Sequence, residues 1–178
     1  MVVLLTTSHR PSPRIRSFCS DIESSSDLFI HVARGKQTQV DLVSLAKACN
    51  ADCIMLVCST KGNPGKIDMY QIHQLGLVKK LSLILKGVKL TREMGIRVSK
   101  LRRRPVLVTA TKQEEVLKVA SAFAKLIGAP LVLNGFLSIG LNIAFRSGIK
   151  ELMTINFLDA ASNTPCGPLI RVKSFYIW

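Results

Sequence analysis

Three arginines, Arg10, Arg14 and Arg16, crowd what reads as a strand-to-helix turn in Leu4-Leu5-Thr6-Thr7-Ser8-His9-Arg10-Pro11-Ser12-Pro13-Arg14-Ile15-Arg16-Ser17-Phe18. A guanidinium is a planar fork that can grip a phosphate through two hydrogen bonds, so the chemistry on offer is anion binding. Val2 to Leu5 predict a short apolar strand, Ser12 suits a helix cap, and Pro13 fits the first helical position, where no backbone donor is needed. Ile15, Phe18, Cys19 and Ile22 recur at helical spacing and mark a core face. The first-turn N–H groups would then point towards Arg10 and Arg14, so that dipole and charge both favour an anion, with His9 beside them. Local chemistry alone suits equally a surface helix with scattered arginines.

Other chemistry is excluded position by position. Lys61-Gly62-Asn63-Pro64-Gly65-Lys66 lacks the Ser/Thr and following helix of a phosphate loop, because Ile67-Asp68-Met69-Tyr70 reads as a strand; a tight turn accounts for it. Cys49, Cys53 and Cys58 are too irregularly spaced for a zinc knuckle and suit the core, the last two within a buried-strand pattern. His9, His31 and His73 are scattered, and the 11 acidic residues contain no clustered pair of the kind that holds metal ions in a nuclease. The expectation is a binding protein: no enzyme, no metal, no cofactor.

The elements that position these residues repeat at an offset near 100. Leu4-Leu5-Thr6-Thr7-Ser8 resembles Leu107-Val108-Thr109-Ala110-Thr111, and Leu28-Phe29-Ile30 matches Leu131-Val132-Leu133. Gln39 to Cys58 parallels Ser138 to Phe157, each read as helix then strand, and Lys61–Gly65 is echoed by Asn163–Pro168. Each half reads strand, helix, strand, helix, strand, turn, strand. Thr38 with Asp41, and Thr111 with Glu114, have capping-box spacing. The faces Leu42, Leu45, Ala46, Cys49 and Val116, Val119, Ala120, Phe123, Ile127 are core, and Gly128 and Pro130 stop the second of these helices. Ser138 to Ser147 is read as a helix ended by Gly148, and Leu81 to Lys86 as a further strand between the halves. The fold class is α/β: two similar α/β halves with mixed sheets, within one domain over residues 1–178. Its parts are a first half 1–75, a basic connecting segment 76–104 and a second half 105–178.

At 178 residues and 48% hydrophobic content the chain forms a core, and no apolar run approaches the roughly 18 to 20 residues of a membrane span. The opening Met1-Val2-Val3-Leu4-Leu5 lacks a basic leader, and five cysteines in element interiors suit a reducing, cytoplasmic compartment. The net charge of +14 is concentrated: residues 76–104 hold 10 Lys/Arg against one acid, a net +9. That concentration, ending Lys100-Leu101-Arg102-Arg103-Arg104, is the footprint of a polyanion partner; a merely solvated basic surface would intersperse acids.

The segment Thr6 to Phe18 is similar to the opening "TTSR-x-PS-x-RTRSF" pattern of the Brix-domain ribosome-biogenesis proteins, and the chain resembles their archaeal single-domain members. Ala33-Arg34-Gly35-Lys36 before a helix, Lys61–Gly65 before a strand and Cys166-Gly167-Pro168-Leu169-Ile170-Arg171-Val172 extend the likeness over the whole chain. His9 stands where the family usually has arginine, and Ile15 where it often has threonine. The resemblance implies two halves related to the anticodon-binding domains of certain tRNA synthetases, and binding of precursor ribosomal RNA during rRNA processing and subunit assembly. Eukaryotic members are longer and nucleolar; this chain fits an archaeal-type cytoplasmic protein.

The expected mechanism is a non-catalytic grip on RNA phosphates. Arg10, Arg14 and Arg16 hold backbone at the helix start, Arg34 and Lys36 extend the corner, and Lys100, Arg102, Arg103 and Arg104 make a second contact. Aromatics are 6% of the chain, so shape and backbone are read rather than stacked bases. Ribosomal or assembly proteins are further expected partners, and no membrane is. A tRNA-binding module and a protein-interaction scaffold are the alternatives.

Overall fold

A computed structural model describes residues 2–74, 76–96 and 105–178, so Lys100, Arg102, Arg103 and Arg104 lie outside the described residues. The first half runs β1 (Val2–Thr7), α1 (Pro13–Ser25), β2 (Phe29–His31), α2 (Gln39–Ala48), β3 (Ala51–Thr60), β4 (Asn63–His73) and β5 (Gly76–Lys89), followed by a 3-10 turn at Thr91–Met94. The second runs β6 (Val106–Ala110), α3 (Glu114–Ile127), β7 (Leu131–Leu133), β8 (Leu141–Ser147), β9 (Met153–Asp159) and β10 (Leu169–Ile177).

The ten strands of the described residues form one mixed sheet in the order β2-β1-β3-β4-β5-β10-β9-β8-β6-β7. β1 lies parallel between β2 and β3, and β6 parallel between β7 and β8; the remaining neighbours are antiparallel. The order reads the same from either edge if each strand of one half is exchanged for its counterpart. The halves are therefore related by an approximate two-fold through the β5–β10 pair. Such an axis, normal to the sheet, keeps α1 and α3 on one face. Ile15, Phe18, Cys19 and Ile22 of α1 share a single core with Val116, Val119, Ala120, Phe123 and Ile127 of α3. α2 covers the opposite face, where Leu42 and Ala46 pack on Leu4, Ala51 and Ile54.

The helix starts follow their caps in the first half and depart from expectation in the second. Ser12 caps α1 by accepting from Ile15 N–H, and Thr38 and Asp41 close a reciprocal capping box on α2. At α3 the expected Thr111–Glu114 box is absent: Gln113 occupies the cap without a side-chain bond, and Glu114 pairs instead with Lys118 at 2.6 Å. Ser147 of β8 takes up Gln113 Oε1 and lies 3.5 Å from Thr111 Oγ1, drawing both side chains away from the helix end.

The helix expected at Ser138–Ser147 is a strand, β8. Leu141 to Phe145 are buried without a break, a run whose period fits either element, and Gly140 at φ +126° cannot begin a helix. The side chain of Asn142 bonds both backbone groups of Leu137 and folds the preceding loop back on the strand. With no counterpart of α2, the second half is shorter between its second and third strands. The turn equivalent to Lys61-Gly62 is then the β8–β9 connection, not the expected Asn163–Pro168, which joins β9 to β10. Leu81–Lys86 is the middle of a longer strand, β5. None of the described helices is long and apolar enough to cross a membrane.

The two halves meet inside the core. Phe29 of β2 packs edge-to-face on Phe157 of β9, with centroids 6.2 Å apart and planes at 66°. Gly167, in the β9–β10 loop, seats against this contact: a Cβ there would lie 2.7 Å from Phe157 Cβ and 3.3 Å from Ser25 Cβ at the end of α1. Gly167→Ala should therefore destabilise the protein by about 1–3 kcal/mol, seen as a lower urea midpoint with an unchanged slope.

Candidate nucleic-acid interface

Because β2, β1 and β3 are parallel, their carboxyl ends share one edge of the sheet, and the loops that leave them converge. α1, after β1, goes to one face and α2, after β2, to the other, so the chain reverses its winding at β1. The crevice outside such a switch point is where open α/β sheets place ligands. Hydrogen bonds tie the three loops together: His9 Nδ1 lies 3.2 Å from Gly35 O, Ser12 Oγ donates to Gly62 O at 2.5 Å, and Ser59 N donates to Ser8 Oγ at 3.4 Å. The Lys61-Gly62 turn has φ +49° and +79°, the mirror-image geometry that closes a two-residue hairpin. This edge carries Arg10, Arg34, Lys36 and Lys61.

The expected site residues fare differently. Arg10, at φ +52°, and Lys36 are exposed, and their side chains meet no partner among the described residues. Arg34 is half-buried and donates through Nε to Gln37 O at 3.3 Å, while Gln37 Oε1 is buried without a donor. Arg16 folds back on Pro11 O at 3.1 Å and remains exposed. Arg14 turns away from the corner: its guanidinium forks onto the Glu93 carboxylate, with Nη2–Oε2 at 3.0 Å, and reaches Val88 O at 3.2 Å. The Arg14 fork, helped by the Leu90 N–H, holds the Glu93 carboxyl below its ordinary value.

The backbone of the α1 start is largely satisfied internally. Pro13 has no N–H, Ile15 gives its N–H to Ser12 Oγ at 3.3 Å and Arg16 to Ser12 O at 3.2 Å. Cationic side chains, rather than helix-end donors, are what the corner offers an anion. Asp21 of α1 accepts from both Thr91 N and Thr91 Oγ1 at 2.8 Å. Together with the Arg14–Glu93 pair, it pins the segment that runs to Ile96, the last described residue before the arginine-rich stretch.

Beside the corner is a feature the sequence reading missed. β4 pairs with β5 only as far as Lys66 opposite Ile84, so the β3–β4 hairpin end splays from β5 over Leu85–Val88. The cleft between them, about 510 Å³, is lined by Arg14, Lys61, Lys86, Arg171 and Lys173 and by no carboxylate. The alternation Ile170-Arg171-Val172-Lys173 signals two cations on one face of a strand, but nothing in the sequence says which strands flank it. Deeper along β4 and β5, Asp68 is 2% exposed and neutralises Lys66 at 2.9 Å and Lys79 at 3.3 Å, with the Ser82 hydroxyl also donating to it. Lys79 lies over the rings of Tyr70 and Trp178, 5.4 and 5.6 Å from their centroids. Burial pushes the Asp68 carboxyl up, but the Ser82 hydroxyl and the two lysines outweigh it and hold the group below its ordinary value.

The cysteines differ in setting. Burial pushes the Cys19 and Cys53 thiols up to about 12, which makes them unreactive packing groups, whereas Cys49 and Cys58 are half-buried at the margins.

No family model matches the chain. Among curated proteins it is 34% identical over 192 residues to a probable Brix domain-containing ribosomal biogenesis protein of Pyrococcus horikoshii, covering 99% of this chain and 84% of that one. A protein of the same description from Aeropyrum pernix is 36% identical over 185 residues, covering 94% and 93%. Among solved structures, a probable ribosomal biogenesis protein from Aeropyrum pernix superposes with a TM-score of 0.84 at 30% identity, covering 97% and 96%. Mil, an archaeal Imp4-like protein, shares the fold with a TM-score of 0.71 at 19% identity, covering 98% and 99%.

The Asp68 cluster makes stability depend on pH in a definite direction. A carboxyl held below its ordinary value adds stability that is present above about pH 4 and is lost as pH falls through the lowered value. Lys66, raised chiefly by its bond to Asp68, adds stability that is lost only as pH climbs through its own raised value. Asp68→Asn should flatten the acid limb of a urea-midpoint profile measured from pH 5 to pH 2. Asp68→Ala, which leaves the buried Ser82 hydroxyl without its acceptor while the two lysines remain partly solvated, should cost about 1–2 kcal/mol at neutral pH.

Proposed function

The chain belongs to the Brix-domain family of ribosomal biogenesis proteins, and we propose that it serves ribosome assembly by holding precursor ribosomal RNA through its backbone phosphates, without making or breaking bonds. The observation that carries this reading is the convergence of three loops at the carboxyl edge of β1, β2 and β3, with the exposed cations Arg10, Lys36 and Lys61 beside Arg34 and Arg16. Lys100, Arg102, Arg103 and Arg104 follow a segment pinned to α1 and extend the contact. Arg14 joins when a phosphate competes with Glu93 for its fork. The protein works in the cytoplasm, on RNA that is being folded and loaded with ribosomal and assembly proteins.

With aromatics only 6% of the chain, recognition is of the shape and phosphate spacing of folded RNA. The nearest alternative, a tRNA-binding module, would use the same corner on a different RNA; a scaffold for acidic proteins would use the charge without RNA. Crosslinking and sequencing of bound RNA in cells separates them. Reads concentrated on one precursor ribosomal RNA region are expected; reads on tRNA, or no enriched RNA, would refute the assignment.

Two binding measurements test the mechanism. With about six phosphate contacts on duplex-like RNA, affinity should fall roughly a thousandfold between 50 and 200 mM salt, and a flat response would refute a phosphate-led grip. Replacing Arg10, Arg14 and Arg16 together by alanine should weaken RNA binding in a protein that still folds. Wild-type affinity in that folded variant would remove the corner from the interface.

A further inference from the structure

We propose that the cleft between the β3–β4 hairpin and β5 is a phosphate site, centred on Arg171, that receives one phosphodiester of the bound RNA. The inference rests on the RNA-binding reading and adds to it a defined pocket beside the loop corner.

Arg171 is the cation of the cleft with the most evident need of an anion. Its Nε is buried and finds no acceptor, and its guanidinium forms no ion pair among the described residues. An arginine cannot shed its proton, so a buried, unpaired donor on it is an unmet demand for an oxyanion. Its place is set by the chain around it. On β10 the pairing with β5 shifts register between Arg171 and Val172 and again before Ser174, and such bulges re-aim side chains. Across from it stands Gly87, whose missing side chain lets the guanidinium lie against the backbone of β5: a Cβ there would sit 3.0 Å from Nη2.

The surroundings select the same ligand. Of the five cations lining the cleft, Arg14 is neutralised by Glu93, and Lys86 lies 3.5 Å from Glu151. Lys61, Lys173 and Arg171 have no carboxylate among the described residues. Three unneutralised cations around one concavity repel each other and concentrate the field that an anion would enter. The volume of about 510 Å³ lies within the range of pockets that take small ligands. Lys61 belongs to the rims of both cleft and corner, so one RNA strand could satisfy both.

The test uses the full chain, a fluorescein-labelled RNA hairpin and, separately, inorganic phosphate. Arg171→Gln is expected to weaken hairpin binding roughly tenfold and to reduce the slope of log affinity against log salt by about one. Inorganic phosphate at constant ionic strength should raise the Tm of the wild type more than that of the variant. Should Arg171→Gln fail to fold, Lys173→Gln, at an exposed cleft position outside the corner, gives the same reading through weaker binding. Unchanged affinity and slope in Arg171→Gln, or in Lys173→Gln if that replaces it, would overturn the cleft. If the Arg10, Arg14 and Arg16 variant still lost affinity, the proposed function would stand. A wild type that does not bind the hairpin would overturn both. A phosphate effect that depends on Arg171, with RNA affinity untouched, would overturn the assignment to RNA and leave a site for small anions only.

Discussion

The antiparallel pairing of β5 with β10 is the interaction on which the molecule's organisation depends. It extends from Leu169 opposite Lys89 to Ile177 opposite Leu81, and it is what turns two half-sheets into one. Each half alone would end in an open strand edge, a row of unpaired donors and acceptors; joined, each covers the other. The same pairing brings Phe29 of one half onto Phe157 of the other and lets α1 and α3 share a single apolar layer. It also forces an irregularity. β5, at 14 residues, must span more of β10 than β4 covers, so its far end has a neighbour on one side only. Arg14 supplies a donor to Val88 O in that gap. The cleft is a consequence of the seam.

The sequence disclosed local features wherever a single residue or a short period decides the conformation. Ser12, Pro13, Thr38 and Gly128 each act within one turn, and all four are found in their expected roles. The apolar faces of α1 and α3 were legible because 3.6-residue spacing leaves few alternatives. Ser138–Ser147 was misread because an uninterrupted buried run has no period, and what decides its conformation is tertiary: β6 on one side and β9 on the other. That error propagated. Assigning a helix to both halves put the late turns in false correspondence, when the second half had in fact replaced that helix with a short loop.

The candidate site was legible in composition and only partly in geometry. Clustering of Arg10, Arg14 and Arg16 in sequence did not mean clustering in space, because α1 directs Arg14 down its axis towards the 3-10 turn while Arg10 precedes the helix. Conversely, Lys61, Lys86 and Arg171 are far apart in sequence and meet because two strand pairings bring them together. Long-range pairing is the information that a single chain read residue by residue does not display.

What a polyanion can use is the charge that the fold has not already used. Eleven acids face 25 lysines and arginines, and several of the acids are committed to structure: Asp68 to Lys66 and Lys79, Glu93 to Arg14, Glu151 to Lys86, Asp21 to Thr91. Subtracting these pairs still leaves uncommitted cations at two concave places, the loop corner and the cleft. Both are anchored to the Lys61-Gly62 turn, the corner through Ser12 Oγ and Gly62 O, the cleft through the lining itself. A ligand that moves this hairpin end in one place must move it in the other. Anions bound at the two places would therefore rest on one shared support, the Lys61-Gly62 turn.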